Sequence, residues 1–227
     1  MQQVTRILRG ASMAPKRLAR RVRLLRETRA SVMIEMAFCI PLLVLVGFGG
    51  LEMANLTLVN TRISQIGLST ADNASRIAVG SSLSLPRVRE VDINEVFTGA
   101  DEQGRGLNLA TRGRIILSSL ERNPEDGQWI HWQRCFGALD AASSYGVQGD
   151  GATGVDFPGM GPEGREVTAP PGSAVMFVEI FYEYDALLYG KWLGPRRIHS
   201  TAAFNIREGR DLTQVYQVSG VTPSTCT

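Results

Sequence analysis

Histidine occurs twice and cysteine three times in the 227 residues, and that scarcity narrows the chemistry at once. No C-x-x-C pair is present to hold zinc. The strings G-x-S-x-G, G-x-x-x-x-G-K-[ST] and H-E-x-x-H are also missing, which removes the common signatures of a serine hydrolase, a P-loop and a zinc protease. His131 and His199 fall on expected strands with no cysteine or carboxylate at ligand spacing. Glu179 and Glu183 lie two strand repeats apart on one face, about 13 Å, too wide for a glycosidase pair. Asp150 and Asp156 sit in a glycine-rich stretch without the alternating acidic spacing of a calcium loop. No catalytic residue, metal or cofactor is therefore expected, and the chain does not read as an enzyme.

Charge of either sign is also in short supply overall. Lysine plus arginine number 24 and aspartate plus glutamate 22, a formal net charge of +2. The average hides a division. Residues 1–29 contain nine basic side chains against the single acid Glu27, a net +8, and the other 198 residues carry fifteen against twenty-one, a net −6. Apolar residues at 44% suffice for a buried core and exclude a disordered chain.

Between Arg29 and Glu52 the only charge is Glu35, in the stretch ASVMIEMAFCIPLLVLVGFGGL. As a helix, Ser31 to Leu51 is about 31 Å long, which matches the ~30 Å hydrocarbon core of a bilayer. Arginines crowd its N-terminal side, and Arg62 alone follows within the next 24 positions. The positive-inside rule then puts the N-terminus in the cytoplasm and residues 52–227 outside. Two readings of the segment follow directly: a cleavable secretory signal with small residues at Gly47 and Gly49, or an uncleaved signal anchor; a third rests on the residues around Glu35. An ionisable group inside a span points to function by default, although Glu35 lies close enough to the interface to snorkel. Pro41 removes one helical hydrogen bond, which a kink can absorb. Gly50 and Ala54 form a small-xxx-small pair suited to close helix contact.

The string Arg29-Ala30-Ser31-Val32-Met33-Ile34-Glu35-Met36-Ala37, followed by Pro41-Leu42-Leu43, resembles the N-terminus of the TadE/TadG-like pseudopilins of tight-adherence (Flp-type) pilus systems. The resemblance covers mainly residues 20–56. It implies a leader that ends at a small residue, a cut by a prepilin-type peptidase between Ala30 and Ser31, and Glu35 as the fifth residue of the mature chain. The family pattern prefers glycine where Ala30 stands. The resemblance further implies an inner-membrane, single-pass protein with its C-terminal domain in the periplasm or a pilus. It would act in pilus biogenesis or adhesion, with other pilin-like subunits and an inner-membrane assembly platform as partners. An uncleaved single-span periplasmic scaffold or binding protein is the alternative. The basic leader lacks interleaved aromatics or a DNA-reading fold, so contact with anionic lipid is expected there and nucleic acid is not.

Past Glu52 the apolar pattern becomes periodic. Leu56, Val59, Ile63, Ile66, Thr70, Ala74 and Ile77 recur every three or four positions, predicting an amphipathic helix over 52–79 that continues the span. Residues 80–108 read as a connector with at most a short helix around Ile93 to Phe97. Arg114–Leu120 and Gln128–Phe136 flank the turn Asn123-Pro124-Glu125-Asp126-Gly127 and predict a hairpin. Ser173–Tyr184 and Arg197–Arg207 predict two further strands. The class expected is α+β: a long N-terminal helix, then a small antiparallel sheet domain over 80–227. The glycine-rich loop 137–172 reads as either mobile or a binding surface. Cys39 lies inside the apolar span. Cys135 and Cys226 both lie in the segment placed outside, where pairing is expected; their bridge closes a loop of about 90 residues, worth roughly 4 kcal/mol.

Overall fold

In the computed structural model, Thr28–Ser75 is one continuous α-helix of 48 residues (α1) with Pro41 inside it. The structure describes residues 28–77, 80, 85–187 and 194–226. The chain divides into two compact units, Met1–Leu51 and Glu52–Thr227. In the second unit, α1 buries Ile63, Ile66, Thr70 and Ala74 of the predicted stripe, together with Ala71, and half-buries Leu56 and Val59; Ile77, just past its end, is half-buried too. The helix ends at Ser75, earlier than the Val79 its periodicity suggests, and Val79 lies outside the described residues. Its last turn tightens through the Arg76 and Ile77 amides, which donate to Asn73 and Ala74. Arg210 then takes the orphan carbonyls of Ala74 and Ile77 at 3.3 and 3.1 Å.

The connector holds a longer helix than expected, Glu90–Gln103 (α2). Glu90 and Asp92 in its first turn favour the positive end of the helix dipole, and Asp92 accepts a hydrogen bond from the Arg89 amide at 3.1 Å. Ile93, Phe97 and Ala100 form its buried face, and together with the capped first turn they extend it well beyond Ile93–Phe97. The single-turn helix Leu109–Arg112 (α3) leads into the sheet.

Four strands follow: β1 (Gly113–Arg122), β2 (Gln128–Phe136), β3 (Val175–Tyr184) and β4 (Arg196–Asn205). They form one antiparallel sheet in the order β2-β1-β3-β4. The α+β class is therefore as the sequence predicts, with strand limits within two residues of the predicted ones. Asn123 organises the β1–β2 turn, its side-chain oxygen accepting from the amides of Glu125 and Gly127 at 2.9 and 2.8 Å. The pairing shifts register between Ser119 and Leu120, which leaves His131 as the extra residue on β2.

One face of the sheet, with Leu117, Met176, Val178, Ile180 and Ala202, packs with the buried stripe of α1 and with Ile93 and Phe97 of α2. The other face is covered too. Met160, Ala169, Tyr145 and Phe157 from the glycine-rich segment pack on Leu120, Ile130, Val175 and Phe177, while Leu139 and Ala141 cover Ile116 and Phe181. Residues 137–172 are thus a third layer of the fold and not a free loop. Close approach explains the glycine at position 151. Its φ is +75°, and a Cβ there would stand 2.1 Å from the Gln128 carbonyl oxygen.

Polar contacts tie the layers. Arg134 of β2 and Glu90 of α2 form a buried two-point ion pair, with Nε to Oε2 at 2.9 Å and Nη2 to Oε1. Cys135 and Cys226 are disulfide-bonded. The tail reaches its bridge by pairing with β2, the Cys135 amide donating to Ser224 at 2.7 Å. The Ser224 hydroxyl donates to Asn94 of α2, also at 2.7 Å.

Candidate functional site: the exposed apolar half of α1

The first 21 residues after Ala30 alternate no polar face with an apolar one. Every residue from Ser31 to Phe48 is exposed, including Met33 and Phe38 at 77% each and Leu42, Leu43 and Leu45 at about two-thirds. So long an exposed apolar surface is not left to water by a folded protein; it marks contact with lipid or with another chain. Ser31–Ser75 is the one helix among the described residues long and apolar enough to cross a membrane.

Ala30 and Ser31 lie in the opening turn of α1, so a peptide bond between them is part of the helix as it stands. Glu35 follows one turn later on the same face. Its Oε1 accepts a hydrogen bond from the Ser31 hydroxyl at 3.4 Å. The carboxylate is otherwise on an exposed apolar surface, one turn from the point where a cut would create a new α-amino group. Cys39 is also exposed on this helix. Residues 1–27, most of the expected basic leader 1–30, lie outside the described residues.

A second acidic group went unrecognised in the sequence. Glu52, the first residue of the second unit, is 7% exposed and accepts a 2.6 Å hydrogen bond from the Tyr184 hydroxyl and a 3.3 Å one from the Leu187 amide. Asn55, one turn on, donates to the same Tyr184 oxygen at 2.7 Å. Burial, and then the bond to Glu52, hold the Tyr184 hydroxyl above the usual tyrosine range. The signal available was an acid at the border of a long apolar run; its partner is 132 positions away.

Both histidines have carboxylates beside them after all. His131 Nδ1 lies 2.9 Å from Glu121 Oε2 and His199 Nε2 lies 3.3 Å from Glu179 Oε1. Sheet pairing supplies these neighbours, since β1 with β2 and β3 with β4 bring together residues ten to twenty positions apart. In each cluster a serine also bonds the acid: Ser119 donates to Glu121 at 2.6 Å, and Ser143 donates to Glu179. The carboxylate stands between serine and imidazole, so the hydroxyl donates to the acid and the ring does not reach it. Nucleophile activation requires the base against the hydroxyl, and neither cluster has that order. Among the described residues no group of three or more histidine, cysteine, aspartate or glutamate side chains is placed to hold a metal.

Arg210 and Asp211 carry the largest of the other shifts in acidity. Burial lowers the Arg210 guanidinium to about 10, with Glu121 pulling the other way. Asp211 is lowered to about 2, chiefly by hydrogen bonds from the Thr213 hydroxyl and from Tyr216.

Fold and helix together define a class: an α+β domain carried on a helix capable of spanning a bilayer. No family model, curated protein or solved structure matches the chain.

Proposed function

We propose that the protein is a membrane-anchored, pilin-like (pseudopilin) component of a tight-adherence pilus assembly system, processed between Ala30 and Ser31 by a prepilin-type peptidase. The observation that carries this reading is the exposed apolar surface over Ser31–Phe48, which bears one carboxylate, Glu35, bonded by Ser31 one helical turn earlier. Insertion stores the subunit in the inner membrane with its N-terminus cytoplasmic. Cleavage removes the basic leader and leaves a cationic α-amino group on Ser31. Glu35 of a neighbouring subunit can then neutralise that amine, with an attraction of about 4 kcal/mol at 4 Å for an effective dielectric near 20. Such a pair sets helix register in a short filament base, tip or priming complex, while the outward domain supplies specific contacts. The Cys135–Cys226 bridge agrees with an oxidising compartment for that domain.

Alanine at position 30, where the family pattern has glycine, favours the second reading: an uncleaved single-span scaffold or binding protein of the envelope. Replacing Glu35 by alanine separates the two in part. Under the pilin reading the variant inserts normally and no longer co-purifies with other pilin-like subunits; co-purification at the wild-type level removes the registry role from Glu35.

A further inference from the structure

The two edges of the sheet are treated in opposite ways. The outer edge of β2 is closed by this chain: the Cys135 amide donates to Ser224, the Gln133 amide to the Gln148 side chain, and the Ile130 amide to Asp150. Among the described residues nothing comparable covers β4. The Ile206 amide donates to Ala174, so the even-numbered residues of β4 face β3 and the odd-numbered ones turn their amides and carbonyls outward. Those outward groups, on Arg197, His199, Thr201, Ala203 and Asn205, have no backbone partner among the described residues. An edge left open along ten residues is a template for another strand, and proteins blunt such edges by shortening, bulging, covering or charging them; in β4 the charge is confined to the Arg196–Arg197 end.

The geometry points to the outer edge of β4 as a docking site for an extended, carboxylate-bearing segment of another polypeptide, added as a fifth strand. Main-chain bonds supply the attachment, and side chains select the partner. On one face an incoming strand runs beside Ile198 and Ala202, which belong to the main core. On the other it meets Arg197 and His199. Arg197 is exposed; Glu183 stands opposite it on β3 without closing to an ion pair, and His199 contacts Glu179 at 3.3 Å. On its open side a carboxylate gains Arg197 as a charge partner while a lysine is repelled.

Residues 52–75 of α1 run parallel to β4: Glu52 and Arg196 line one small cavity, Ser200 bonds Ser64 at 3.2 Å, Ala202 lies beside Gly67, and Arg207 pairs with Asp72 at 2.9 Å. A twofold pair of β4 strands from two copies of this chain is the competing occupant, and the concentration dependence of amide exchange separates it from a carboxylate-bearing partner.

Amide hydrogen exchange on the full chain in detergent micelles tests the proposal, with a synthetic peptide alternating valine and glutamate as probe and its lysine counterpart as control. The outward amides of Arg197, His199, Thr201, Ala203 and Asn205 exchange freely in the protein alone. The glutamate peptide slows them about tenfold or more, as pairing into a ladder requires, and the lysine peptide does not. Thr201→Pro removes that protection while leaving the exchange of β1 and β2 unchanged, because proline is tolerated where the lost N–H faces outward. Arg197→Glu reverses the preference between the peptides. The proposal fails if the glutamate peptide gives no protection or no more than the lysine peptide. It fails equally if these amides are already protected in the protein alone, or become so as its own concentration rises.

Discussion

The Tyr184 hydroxyl, at the last residue of β3, donates to Glu52 at 2.6 Å and so fastens the sheet to α1 at the first residue of the folded unit. Both residues are buried, and Asn55 completes the cluster from the next turn of the helix. Tyr184→Phe keeps the ring in the core and deletes one donor to a buried carboxylate. Leaving such a group short of a partner costs about 1–3 kcal/mol. Urea unfolding of the full chain in micelles is expected to show a loss of that size. A change below about 0.5 kcal/mol would mean that the hydroxyl does not fasten the helix.

The Cys135–Cys226 bridge spans 91 positions and ties the tail to β2. Loop closure on this scale is worth roughly 4 kcal/mol in the chain-entropy model. Cys226→Ser is expected to lower stability by about that amount, and a reducing agent to do the same to the wild type but not to the variant. The Cys135 amide, whose acceptor Ser224 is held by the bridge, should exchange faster in the variant.

Asp211 gives the protein an acid-sensitive element. Its carboxylate is lowered from 3.8 to about 2 by the hydroxyls of Thr213 and Tyr216, so the folded state holds it ionised more readily than the unfolded chain does. Its contribution is present above pH 3.8 and is lost as pH falls through about 2. Asp211→Asn should reduce the drop in thermal midpoint across that window while leaving the midpoint between pH 6 and 8 with a constant, pH-independent offset. An unaltered acid limb would show that the Thr213 and Tyr216 bonds do not form in solution.

Periodicity and turn chemistry carried the elements. The 3-and-4 spacing from Leu56 to Ala74 places the buried face of α1, and the Asn123–Gly127 turn places the β1–β2 hairpin, because both are local signals. What stayed hidden depends on distant partners. Helix α2 was underestimated because its buried face, Ile93, Phe97 and Ala100, packs on a core assembled from distant residues. The glycine-rich segment carries no periodic pattern, so its packing of Met160 and Phe157 onto the sheet could not be read from it. Glu52 and the two histidine–carboxylate pairs were missed for the same reason: cross-strand and helix–sheet neighbours lie ten to more than a hundred positions apart. Ala30, Ser31 and Glu35 were legible as a local string, and they do share the opening turns of one helix.

Whether that string is a processing site is the centre of the functional account, and the mass of the mature N-terminus decides it. The protein extracted from membranes of cells with an intact prepilin-type peptidase should begin at Ser31, and should retain residues 1–30 when that peptidase is removed. Retention of the leader in both backgrounds would contradict the pilin reading and leave an uncleaved single-span protein; a start at Gly50 would make the chain a secreted domain.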